Sequence, residues 1–136
     1  MILALSFQAY GQESDSIQAE KLFERYENAM EGKQYPNASE YLKKSITLFK
    51  NAGAVDRWLY MQSLLAMHIA RDLQQPFPAL EQMDAAEKEL EAWRKPHNEN
   101  EYVEQCYFYL DQSYISKQYA EDFIRTKNAL EKAYQV

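Results

Sequence analysis

Apolar residues along this chain recur at steps of three and four, in six runs separated by short polar or proline-containing breaks. That period gathers side chains on one face of an α-helix and argues against half-buried strands. The first run carries Ala19, Leu22, Phe23, Tyr26, Ala29 and Met30; Ser14-Asp15 ahead of it, with Gln18 three residues after Asp15, reads as the opening cap. Gly32-Lys33-Gln34 breaks the pattern. Pro36 stands where a first helical turn tolerates its missing N–H, and Ala38, Tyr41, Leu42, Ser45, Ile46 and Phe49 continue the period until Gly53. Asp56 reads as the N-cap of a third helix over residues 57–73, apolar on most sides and so expected to be deeply buried.

Gln74-Gln75-Pro76-Phe77-Pro78 forces the next break, since neither proline can donate and each disfavours helix in the residue before it. A fourth helix with Ala79, Leu80, Met83, Ala86, Leu90 and Trp93 stops before Pro96. Asn98 followed by Glu101 is a capping-box pattern opening a fifth, whose expected core stripe is Val103, Cys106, Tyr107, Leu110, Tyr114 and Ile115. Lys117-Gln118 marks a turn, and Tyr119, Phe123, Ala129, Leu130 and Ala133 form the expected stripe of the sixth. Short breaks make successive helices antiparallel neighbours, so the prediction is three helix pairs over about residues 15–53, 56–95 and 98–136.

Ser45, Ala86 and Ala129 fall at equivalent places in the second helix of each pair, 41 and 43 residues apart, which is the mark of an internal repeat. With Leu22 and Tyr26, then Tyr35, Ala38, Leu42 and Ser45 in the first pair, Leu64, Ala79, Met83 and Ala86 in the second, and Tyr107, Leu110, Tyr114 and Tyr119 in the third, the chain resembles the tetratricopeptide repeat family. Asp111 departs from that family's small residue in the third pair, His68 from its aromatic in the second, and the period exceeds the usual ~34 residues. The resemblance implies an all-α fold, a right-handed α-solenoid of three stacked pairs. It also implies a peptide-binding hollow lined by the first helix of each pair: Glu20, Glu24, Glu27 and Asn28, then Gln62 and Ile69, then Gln105, Phe108, Gln112 and Ser116. That set is acidic and amide-rich, so the expected partner is a protein or peptide, basic in character; the lysine and arginine clamp that family members use on a terminal carboxylate is missing.

Composition narrows the function further. The net charge is −6 and the basic residues are interleaved with acidic ones, so no basic stripe addresses nucleic acid. One cysteine excludes an internal disulfide and a cysteine-rich zinc site. Residues 1–11 are an apolar run ending in Ala9-Tyr10-Gly11, similar to the end of a secretory signal without its basic start. A clipped leader, and with it a periplasmic or secreted location, is the expectation, a frayed apolar N-terminus the alternative. No other run approaches the ~20 apolar residues of a membrane span.

Candidate chemistry is thin. Cys106 and His68 are nucleophile and base types, yet both sit on apolar helix faces where core packing is the expectation. His97, Glu99 and Glu101 include metal-ligand types but fall at a turn with one histidine, which suits a capping glutamate better. Glu20, Glu24 and Glu27 form an acidic ridge of the kind that is usually a solvated face. No phosphate loop, zinc motif or serine elbow occurs, so no enzyme, cofactor or metal is expected. The reading is an interaction scaffold, the alternative an N-terminal sensory or regulatory repeat region of a larger signalling or proteolytic protein. The apolar residues Phe123, Leu130, Tyr134 and Val136 near the end suggest self-association or further repeats through the last helix.

Overall fold

In the computed structural model, residues 2–94 and 96–136 are described, with side chains from Asp15 onward; the expected leader over residues 1–11 lies outside the residues whose side chains are described. Among the described residues there are six helices and no strand: α1 (Ile2–Glu31), α2 (Tyr35–Asn51), α3 (Val55–Arg71), α4 (Pro76–Trp93), α5 (Glu99–Gln118) and α6 (Phe123–Gln135). The helices expected from the periodicity are therefore all present. α1 begins upstream of the Ser14-Asp15 pair expected to open it, and Asp56 falls inside the first turn of α3 instead of capping it.

The chain divides into two compact units, residues 1–58 and 59–136, the boundary falling within α3. In the first, α1 and α2 pack together. Ala19, Tyr26 and Ala29 of α1 and Ala38, Leu42, Ser45, Ile46 and Phe49 of α2 are buried, which is the stripe read from the sequence. Small residues at the crossing allow the backbones to approach, and the Ser45 hydroxyl uses that closeness to donate to the Ala19 carbonyl of α1 at 2.9 Å. Arg57 closes the unit: its guanidinium donates twice to Glu20, both at 3.0 Å, and lies 5.6 and 5.4 Å from the ring centres of Phe23 and Phe49.

In the second unit α5 packs on α4 and on α6. The α3 segment buries Leu59, Met61, Leu65, Ala66, His68 and Ala70, and α4 buries Ala79, Leu80, Met83, Ala86 and Leu90. Asp84 of α4 ties three helices: Oδ1 accepts from Gln112 of α5 at 3.2 Å, and Oδ2 pairs with Arg125 of α6 at 3.3 Å. Gln82 of α4 donates its amide to Gln62 of α3.

The turns expose the repeat better than the helices do. The α1–α2 and α2–α3 turns are Schellman motifs: Gln34 and Lys33 donate to Ala29 and Met30, and Ala54 and Gly53 donate to Phe49 and Lys50. Gly53 takes a left-handed φ of 72°, while Lys33 does so at 54° with a side chain attached. The α3–α4 turn is wider. There Leu73 donates to His68 and Gln75 to Ile69, with Gln74 at φ 57°; in the α5–α6 turn Ala120 donates to Ile115 and Asp122 to Ser116, with Glu121 at φ 53°. Every mark recurs 47 residues on, from Leu73 to Ala120 and from Gln75 to Asp122. Ala86 thus corresponds to Ala133, one helical turn beyond the Ala129 paired with it from sequence, while Gln34 to Gln75 keeps the spacing of 41 between the first two pairs.

Candidate functional site

α5 turns most of its expected core stripe outward. Val103, Tyr107, Leu110 and Tyr114, assigned to the core by periodicity, are 43%, 56%, 38% and 49% exposed. Ile115 of the expected stripe is buried and Cys106 half-buried, and the rest of the inward face is Glu101, Phe108, Tyr109, Gln112, Ser113 and Ser116. Most polar groups of this inner face are bonded: Ser116 donates to the Gln112 carbonyl at 2.8 Å, Ser113 to the Leu110 carbonyl at 2.6 Å, and the Gln112 amide to Asp84, while Gln112 Oε1 is buried without a hydrogen-bond partner. On α6 only Ala129 and Ala133 are buried, and Phe123 and Leu130 of its expected stripe are exposed.

The residues expected to line a hollow differ in their exposure. Gln62, Phe108, Gln112 and Ser116 are buried in helix packing and present little surface to a ligand. Ile69 and Gln105 are half-buried. Glu20, Glu24, Glu27 and Asn28 are exposed, and Glu20 is engaged by Arg57. On α5, helical periodicity shows that two faces differ without showing which of them is the inner one.

Within the second unit α4 and α5 frame a cleft of about 260 Å³. Leu90, Pro96 and Phe108 give it an apolar floor, and Glu87, Glu91, Arg94, Tyr102, Gln105 and Tyr109 supply polar groups around it, Arg94 being paired with Glu101. Beside Pro96 lies the capping box at the start of α5. There the Asn98 side chain accepts from the Glu101 amide at 2.9 Å, while Glu101 Oε2 accepts from the His97 and Asn98 amides and Oε1 from Arg94 at 2.7 Å. Glu101 is thus a cap and an ion-pair partner.

The other wall is fixed from α6, where Lys132 donates to both oxygens of Glu87 at 2.9 and 3.1 Å and stands 5.7 Å from the Tyr109 ring centre. Burial, and then the Glu87 carboxylate, push the Tyr109 hydroxyl up to about 12, so it stays a hydrogen-bond donor at neutral pH. Sequence reasoning named Gln105 and Phe108 but missed Glu87, Glu91 and Tyr109. The available signal was the three- and four-residue spacing of Glu87, Leu90, Glu91 and Arg94, which puts them on one side of α4.

The remaining candidates have separate partners. His68 is fully buried and donates from Nδ1 to Asp72 at 2.9 Å. Burial would raise the Asp72 carboxyl, but hydrogen bonds from Arg71 and His68 and their charges hold it below its usual value. Cys106 is half-buried, with Sγ directed at the Ala133 carbonyl of α6, 3.7 Å away. Among the described residues no group of three or more histidine, cysteine or acidic side chains could hold a metal ion, and no helix is long and apolar enough to cross a membrane.

Comparison with known proteins finds no matching family model, no similar curated protein and no similar solved structure.

Proposed function

We propose that this chain is a non-enzymatic protein–protein interaction scaffold, three helix pairs of tetratricopeptide-like α-solenoid type, that binds a basic segment of a peptide or protein. The observation that carries the reading is the α4–α5 cleft: an apolar floor with the exposed Glu91 carboxylate at its side, Glu87 being held by Lys132, suits the aliphatic stem and cationic head of a lysine or arginine. Amide and phenol groups at Gln105 and Tyr109 can fix the orientation of such a guest, in the way that few polar groups within an apolar site usually do. The seven-to-five excess of acidic over basic charge across the whole chain, −6 in sum, favours the same class of partner.

The test is binding of fluorescently labelled ten-residue peptides, basic and acidic sets of equal length, at low and moderate salt. Basic peptides are expected to bind preferentially, and Glu91→Lys to weaken them about five- to tenfold, the range of a partly exposed charge contact reversed in sign. Equal binding of both sets, or indifference to Glu91→Lys, would refute the assignment of this cleft.

A further inference from the structure

The outward face of α5 has an order that random exposure of apolar residues does not explain. Asn100, Val103, Tyr107, Leu110, Tyr114 and Lys117 follow one another at steps of three, four, three, four and three, all on the exposed side. This is the stepping of a coiled-coil seam. It is also palindromic: read from either end, the spacing is the same.

We infer that this face is a self-association surface on which two copies of the chain pair through antiparallel α5 helices about a two-fold axis. In that register Val103 of one copy faces Tyr114 of the other, and Tyr107 faces Leu110, so each large ring meets a smaller aliphatic side chain, as interdigitation of helix ridges requires. Asn100 meets Lys117, and the neighbouring exposed Glu99 comes beside that same lysine. A two-fold contact of this kind is self-complementary by construction, each pairing occurring twice. The parallel alternative would set Lys117 against its own copy and stack the tyrosines ring on ring, losing both the charge match and the size match.

The inward face supports the same direction. Glu101 accepts from Arg94 and Gln112 donates to Asp84 within the protomer, so rotating the seam inward would break both of these links. The seam's remaining route out of water is another molecule. A 20-residue helix is about 30 Å long, and a side-by-side contact of that length lies toward the small end of specific interfaces, below about 1,200 Å² in total. A reversible dimer is the consequence.

Sedimentation velocity on the full chain tests the proposal. A monomer–dimer equilibrium is expected within the micromolar range, and Leu110→Glu, at an exposed position, is expected to leave helical circular dichroism unchanged while the protein remains monomeric. Glu99→Lys and Lys117→Glu should each weaken the dimer about five- to tenfold, and the double variant should restore it to within about twofold, because the swapped charges again face each other. A strictly monomeric wild type, a dimer that survives Leu110→Glu, or a double variant no better than either single one would overturn the proposal. The first of these outcomes would assign the seam to a helix of some other protein or of a longer chain.

Discussion

α2 and α5 are both amphipathic by period, yet they spend their apolar sides in opposite ways. α2 turns Leu42, Ile46 and Phe49 inward and leaves Lys43, Lys44 and Thr47 outside. α5 turns Gln112, Ser113 and Ser116 inward and leaves Val103, Tyr107, Leu110 and Tyr114 outside. Their serines show why. Ser45 donates across to α1, using its hydroxyl to join two helices, whereas Ser113 and Ser116 donate back to their own helix and need nothing from a neighbour. A small, self-satisfied polar face packs closely enough to serve as an inner surface, and the bulky face is then free for another purpose.

The sharpest way to break this comparison is to truncate equivalent leucines. Leu42→Ala removes a fully buried side chain and should cost about 2–5 kcal/mol, whereas Leu110→Ala, in the monomer, should cost below about 1 kcal/mol. Urea titration at low protein concentration reads both; similar losses would mean that α5 is buried after all. A smaller contrast lies at the helix starts. Glu101→Ala deletes half of a capping box together with the Arg94 ion pair and should cost about 1–3 kcal/mol, while Gln34→Ala ahead of α2, where no side-chain cap bond exists, should cost a few tenths, roughly, on the same measurement.

The smallest expected effect concerns Asp111, on the side of α5 that reaches Ser63 of α3. Burial raises its carboxyl above the usual 3.8, although a hydrogen bond with Ser63 opposes the rise. With the folded value above the unfolded one, the folded state binds more protons between the two, so this group makes stability fall as pH rises from 3.8 through the raised value. Asp111→Asn should therefore stabilise the protein at neutral pH and change nothing well below 3.8, where both states of the wild type are protonated. Denaturation curves collected from acid to neutral pH check this; a variant curve parallel to wild type throughout would show that Asp111 is solvated.

Much of the architecture was legible from residue order. Six helices, their breaks at Gly32, Gly53 and Pro96, and the capping role of Glu101 all follow from local rules, because helix propensity, proline geometry and caps act over a few neighbouring residues; Pro76, expected within a break, instead opens α4. The face of α5 did not follow, since which side is inner depends on what the neighbouring helices offer: Asp84 to receive Gln112, and the Ala133 backbone beside Cys106. The cleft was half visible for the same reason. Phe108 and Gln105 came from the family analogy, but Tyr109 acquires its meaning only when Lys132 and Glu87, 45 residues apart, meet beside it.

Three of the four left-handed turn residues, Lys33, Gln74 and Glu121, carry side chains that disfavour that conformation. Each withholds on the order of 1 kcal/mol that glycine or asparagine would release, yet all lie in connecting turns away from the helix faces. Thermal tolerance in this protein is therefore adjustable at its corners, leaving both the cleft and the seam untouched.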